Sequence, residues 1–316
     1  MGISRRKFLK NVTTYSGGLL MSSSLLNSSL TLKKTFDFKI SLAEWCLNKE
    51  IFSGEIDHLD FPIIAKRDYE IEGVEYVSQF FPDKATDKAY LKELKMRADD
   101  HGVTSVLIMI DNEGYLSSEK EVARKKAVQN HYKWVEAAKY LGCHSIRINL
   151  HGAPDPVDWK LASIESLSAL SEFGSEHDVN VIVENHGSHS SHGGRLADVL
   201  KQVDSEWAGT LPDFGNFCVA RENGELWGAP CIEQYDPYQG TKDLMPFAKG
   251  VSAKTFDFEE NGDEATLDYM RLFKIVKDSG FNNGWVGIEY EGEHTSPQKG
   301  ILLTKKLLEK VRAKLA

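Results

Sequence analysis

From residue 36 onward the chain alternates short, nearly unbroken apolar runs with longer segments in which apolar residues recur every three or four positions. The runs cover 36–42, 71–77, 104–110, 145–150, 179–183, 209–212, 250–256 and 285–288. Many are rich in Val and Ile, the pattern of strands buried on both faces of a helix-covered parallel sheet. Between them, Val128, Tyr132, Val135, Ala138 and Leu141 share one helical face, and Gly142 follows as a C-terminal cap. Leu267, Met270, Phe273 and Val276 form a second such face, ended by Ser279-Gly280, and Leu303, Leu307, Val311 and Leu315 a third. Eight strand–helix units in roughly 280 residues match a closed barrel in count and length. A doubly wound open sheet is the competitor, and it calls for a glycine-rich first turn. Here the first run leads into Ala43-Glu44-Trp45 instead. The expectation is an α/β fold, a single (β/α)8 TIM barrel over residues 35–316.

Residues 1–34 read differently. Ser4-Arg5-Arg6-Lys7-Phe8-Leu9-Lys10 precedes a weakly apolar stretch and resembles a twin-arginine export signal at every position of the S-R-R-x-F-L-K pattern. The apolar stretch is broken by Gly17-Gly18 and serines, short of the ~18 residues a membrane span needs. The resemblance implies a periplasmic protein with no stable membrane span after processing. Charge follows the same division. The first 34 residues hold six basic and no acidic side chains, which leaves 32 basic against 47 acidic in the rest, a formal charge of −15. So acidic a body repels phosphate backbones, and nucleic-acid partners are excluded. The four cysteines, Cys46, Cys143, Cys218 and Cys231, contain no C-x-x-C pair. They are expected as buried free thiols, although an oxidising compartment would permit a disulfide and Cys218 with Cys231 is the near pair.

In such barrels function collects at the C-terminal ends of the strands. Glu184, Asp213 and Glu289 each follow apolar strand residues there. Three carboxylates at one barrel mouth repel one another unless neutralised. A hard divalent cation, Mn2+ or Mg2+ first and Zn2+ or Co2+ next, is one answer, and ion pairing with Lys254 and Arg147 is the other. The segments V-I-V-E-N-H-G, L-P-D-F-G-N and G-I-E-Y-E-G on the fifth, sixth and eighth strands resemble the xylose-isomerase-like superfamily, and within it the sugar phosphate isomerase/epimerase group. The resemblance covers about residues 36–312 and implies a metal held by Glu, Asp, His and Glu from strands five to eight. Glu184, Asp213 and Glu289 take three of these places. The usual H-x-K of strand seven is Ser252-Ala253-Lys254, so the ligand His is replaced, and Asn216 stands where another His is common. His186 is the first candidate for the fourth ligand and Asp257 the second.

The resemblance implies isomerisation or epimerisation of a sugar beside its carbonyl, with proton abstraction to an ene-diolate. Glu184 and Glu289 are then both ligands and the acid/base pair. Lys254, Arg147, His151, Asn216 and Asp257 are the substrate-binding candidates, with Glu75 behind them. The tract with His186, His189 and His192 reads as a loop over the site. The long connection 217–249 holds Trp227, Tyr235 and Tyr238, which could stack on sugar faces or pack on the rim. Rival readings are a metal-dependent lyase or glycoside-cleaving enzyme on 3-keto sugars, a Schiff-base mechanism at Lys254, and a sugar-binding barrel without turnover. A homo-oligomer is compatible with each.

Overall fold

The computed structural model describes residues 35–316; the expected export signal lies outside the described residues. The barrel strands are β1 (Lys39–Ala43), β2 (Gly73–Val77), β3 (Thr104–Met109), β4 (Ser145–Ile148), β5 (Asn180–Glu184), β6 (Ala208–Leu211), β9 (Val251–Thr255) and β10 (Trp285–Tyr290). They pair in parallel in the order β6-β5-β4-β3-β2-β1-β10-β9. The two ends of this sheet meet through isolated bridges, Thr210 with Ala248 and Asp213 with Ser252. Backbone bonds from Ser252 N to Pro212 O (2.9 Å) and from Lys249 N to Thr210 O (3.0 Å) close the ring. The expected (β/α)8 barrel is the observed one.

Each strand shows side chains alternately to its two sides. Val286, Ile288 and Tyr290 of β10, Val251 and Ala253 of β9, and Val181 and Val183 of β5 join the large core between sheet and helices. The opposite parity fills the barrel interior, where Ala43, Val77, Leu107, Met109, Ile182 and Leu211, joined by Val106, form a second, smaller core. Polar side chains also lie on this inner face, Ser41 and Glu75 among them. Glu75, at a register shift between β2 and β3, accepts a hydrogen bond from Ser41 Oγ at 2.6 Å. Gly287 makes room for it: a Cβ there would stand 2.5 Å from Glu75 Oε1.

The helices are α1 (Asn48–Ser53), α2 (Phe61–Tyr69), α3 (Lys88–Asp100), α4 (Glu121–Leu141), α5 (Pro156–Glu176), α6 (Gly193–Val203), α7 (Pro237–Leu244), α8 (Tyr269–Asp278) and α9 (Pro297–Leu315). The expected faces are the buried faces of α4, α8 and α9, with one adjustment. Gly142 caps α4 at φ 86°, as its position suggests. Leu267 falls before α8, because Asp268 accepts from Arg271 N and starts the helix one residue later. Phe36 and Phe38, read as strand, instead precede β1; Phe38 stacks on Phe273 of α8 at 5.1 Å.

A two-stranded antiparallel hairpin, β7 (Cys218–Arg221) and β8 (Cys231–Gln234), follows β6 and stands outside the barrel. It corrects the cysteine expectation. Cys218 and Cys231 form a disulfide, their Cα atoms 5.9 Å apart across the hairpin, and only Cys46 and Cys143 are buried free thiols. Strand pairing brought the two sulfurs together, which spacing alone could not decide. No helix among the described residues is long and apolar enough to cross a membrane.

Candidate active site

The site is the inward-facing parity of five strands carried one or two residues past the apolar core. On β5, Ile182 packs inside the barrel and Glu184 follows two residues on. On β9, Ser252 and Lys254 alternate with outward Val251 and Ala253, and on β10 Glu289 follows Gly287 in the same phase. Asp213 stands two residues beyond Leu211, and Arg147 of β4 completes the ring. Parallel register sets neighbours side by side: Glu289 pairs with Lys254 and Asp213 with Ser252.

One carboxylate oxygen from each of Glu184, Asp213 and Glu289 lies within 4.8 Å of the other two, and all three residues are at most 4% exposed. Lys254 Nζ stands 3.7 Å from Asp213 Oδ2, 3.6 Å from Glu289 Oε1 and 3.3 Å from Glu291 Oε1. Ser252 Oγ bridges Asp213 Oδ2 (2.6 Å) and Glu289 Oε2 (2.7 Å). The residue in the expected histidine's place therefore sits between two carboxyl groups, its one hydrogen donated to one of them and its oxygen placed to accept from the other when that group is protonated. Arg147 Nε lies 2.8 Å from Glu184 Oε2, but out of line with it, and both atoms stay buried without a hydrogen-bond partner. Arg147 Nη1 also contacts Asp111 Oδ1 at 3.0 Å.

Burial raises the Glu184 carboxyl well above its ordinary range, against the opposing charge of Arg147. It lifts Asp213 to about 7, with Lys254 pulling the other way. For Lys254, burial alone would favour the neutral amine, yet the charges of Asp213, Glu289 and Glu291 prevail and hold it protonated. That counts against Lys254 as a Schiff-base nucleophile, which needs a free amine. Five acidic side chains (Glu184, Asp213, Glu289, Glu291, Asp111) thus face two cations. Such a cluster takes up protons or a cation. The donor set fits a hard divalent ion: three carboxylates, the oxygen spacing, and the unpartnered buried Oε2 of Glu184.

Above the carboxylates opens a cavity of about 590 Å³, lined by Glu289, Glu291, Lys254, Arg147, Asn149, Asn216, His151 and His186 among others. Glu184 lies behind Asn216, whose Nδ2 donates to Glu184 Oε1 at 2.9 Å. His186 shares the inward phase of Glu184 but pairs through Nδ1 with Asn149 Oδ1 at 3.0 Å, outside the carboxylate cluster. His151 Nε2 reaches the His186 carbonyl at 2.6 Å. Both histidines are therefore wall residues of the cavity. Asp257 lies two residues past the end of β9, at the rim, and pairs with His294 Nδ1 at 3.0 Å, away from the cavity. Sequence reading did not nominate Asp111, Asn149, Glu291 or Gln79 for the site. Asp111 follows the third run as Asp213 follows the sixth, so the same strand-end argument could have found it. It accepts from Asn149 Nδ2 at 2.6 Å and Gln79 Nε2 at 3.2 Å.

Solved structures share this architecture. The E. coli 3-keto-D-glucoside 4-epimerase is 14% identical at a TM-score of 0.66, over 87% of this chain and all of that one. An IOLI protein solved with a bound zinc atom is 15% identical at a TM-score of 0.66, over 88% and 99% of the two chains. By sequence, a C-glycoside deglycosidase alpha subunit from Microbacterium trichothecenolyticum is 22% identical over 279 residues, which covers 69% of this chain and 73% of that protein. At these identities the structural likeness shows the fold alone. Residues 65–311 match a family model, and with that span of the barrel matched, the chain belongs to the xylose isomerase-like TIM barrel family.

Proposed function

We propose that this protein is an exported, divalent-metal-dependent sugar isomerase/epimerase that removes a proton beside a carbonyl. The observation that supports it most is the buried Glu184–Asp213–Glu289 cluster at the floor of a sugar-sized cavity. These three residues would hold the ion; Mn2+ or Mg2+ suits an all-carboxylate set. When bound, such an ion supplies Lewis-acid polarisation of a carbonyl and its neighbouring hydroxyl. The chain's own groups do the rest. Glu289 faces the cavity and is the base for the C–H proton. Lys254 and Arg147 offset the negative charge that develops on the ene-diolate oxygens. Glu184 returns a proton from its side, which requires the Asn216 amide to turn aside, since it now covers Glu184 Oε1.

Elemental mass spectrometry of the purified protein beside Asp213→Ala is the direct test. Near-stoichiometric metal that disappears in the variant is the expected result. A protein that neither carries metal nor takes it up on titration overturns the metal-dependent reading. A second reading, cleavage of a 3-keto glycoside by elimination, has a specific support in the deglycosidase relative. It uses the same proton abstraction and parts from the first at the product: a released aglycone instead of an isomeric sugar.

A further inference from the structure

The hairpin after β6 packs on the turn at 188–191 through β7, while β8 has no such support among the described residues. Its strands are four residues each and β8 is exposed along its length. The register slips twice between Cys218 and Arg221, and Val219 is the buried apolar anchor. Isolated two-stranded hairpins are marginal in water. Here the disulfide joins Cys218 to Cys231 at the base of the loop. The tip of that loop is a wall of the cavity, through Leu226 and Trp227. It rests on Gly187, three residues past Glu184, where an added Cβ would stand 3.0 Å from Leu226 Cδ1 and 3.1 Å from Trp227 Cη2.

Trp227 is 41% exposed, and lies with its ring 4.3 Å from that of His186 and 6.3 Å from that of His151. The Arg221 guanidinium stands 5.9 Å from its centroid. An open indole beside hydrogen-bonding groups such as Asn149, Lys254 and Glu289 matches the two sides of a sugar ring, which offers an apolar C–H face and a polar edge. We propose that Trp227 is the sugar-stacking wall of this cavity and that the Cys218–Cys231 disulfide holds it there, so that sugar binding depends on the oxidation state of this pair. The inference rests on the sugar-site reading and adds to it a specificity residue and a condition for binding. Reduction by a dithiol such as dithiothreitol breaks the S–S bond. Two electrons and two protons pass to Cys218 and Cys231, and the reductant closes to its own cyclic disulfide.

The test is calorimetric titration of D-fructose and of methyl β-D-glucopyranoside into the purified protein in five forms: oxidised, dithiothreitol-reduced, Cys218→Ser/Cys231→Ser, Trp227→Ala and Trp227→Phe. The expected result is that the probe bound by the oxidised protein binds about tenfold more weakly, roughly 1.4 kcal/mol, to the reduced protein, the double variant and Trp227→Ala. Trp227→Phe, which keeps an aromatic face, retains most of the affinity. The double variant guards against metal capture by the reductant. Hydrogen exchange should show loss of protection on reduction confined to residues 218–234. Equal affinity in all five forms overturns the proposal and leaves the sugar site standing. Weaker binding on reduction with Trp227→Ala unchanged overturns it too, because the disulfide would then act through another residue. So does weaker binding in Trp227→Ala alone. No binding of either probe to any form sinks this proposal together with the sugar-site reading on which it rests.

Discussion

Ser252 carries the largest departure from the expected ligand pattern, and its chemistry differs in kind from that of a histidine. Its hydroxyl bridges Asp213 and Glu289, so it steadies two acidic groups without contributing a strong donor of its own. Neighbours that orient metal-ligating carboxylates typically account for ten- to hundredfold in metal affinity. Ser252→Ala should therefore weaken metal binding by about that factor in a competition titration with a chromogenic chelator, while the fold's circular dichroism is kept. An unchanged affinity would show the bridge to be structural only. Of the three clustered carboxylates, Glu289 is the one that lines the cavity. Glu289→Gln should lower turnover on any accepted sugar by about 10²–10⁴-fold, the usual share of a general base, and abolish exchange of the substrate C–H proton with deuterated solvent. Retained exchange would assign the base elsewhere. Lys254, buried among three carboxylates, is a fixed positive charge and not a reagent.

At the scale of elements, local chemistry decides where helices begin and how strands face. Asp155 caps α5 by accepting from Val157 N at 2.8 Å and Asp158 N at 3.1 Å, with Pro156 in the first turn. Asp155→Ala should cost about 1 kcal/mol in urea unfolding, a loss visible as a lower midpoint at unchanged slope. A harsher change lies on β10. Gly287→Ala would put a methyl 2.5 Å from the Glu75 carboxylate, where the Ser41 hydrogen bond holds it. Overpacking of this kind costs about 1–3 kcal/mol. Replacing Glu75 by Gly in the same chain should recover part of that loss, and failure to recover any would place the strain elsewhere.

For the whole molecule, two buried groups outside the carboxylate cluster tilt stability with pH in opposite directions. His58 is stacked on Phe81 at 4.3 Å, and burial pushes it down to about 3. The unfolded chain takes up this proton near the ordinary histidine value of about 6.5. Stability is therefore lost as pH falls from there toward 3, because the unfolded state binds more protons. Burial lifts Glu75 to about 7. Its contribution is complete below the ordinary carboxyl value and is lost as pH rises through 7. His58→Gln should flatten the acid side of the stability profile and Glu75→Gln the neutral-to-alkaline side, each by a few kcal/mol at the extremes; an unaltered profile in either variant refutes that assignment. The barrel itself was legible from the chain, because strand and helix periods are local and eight repeats of them leave one economical closure. The carboxylates Glu184, Asp213 and Glu289 were legible for a related reason: a charged residue directly after an apolar run marks a strand end. What the sequence alone could not decide depended on where strands end and on contacts across the fold. Asp257 looked like its neighbours but lies two residues past the end of β9, where it pairs with His294 at the rim. The disulfide, the Ser252 bridge and the Asp111–Arg147 contact each join residues far apart in sequence or set by register, and only the folded chain brings them within bonding distance.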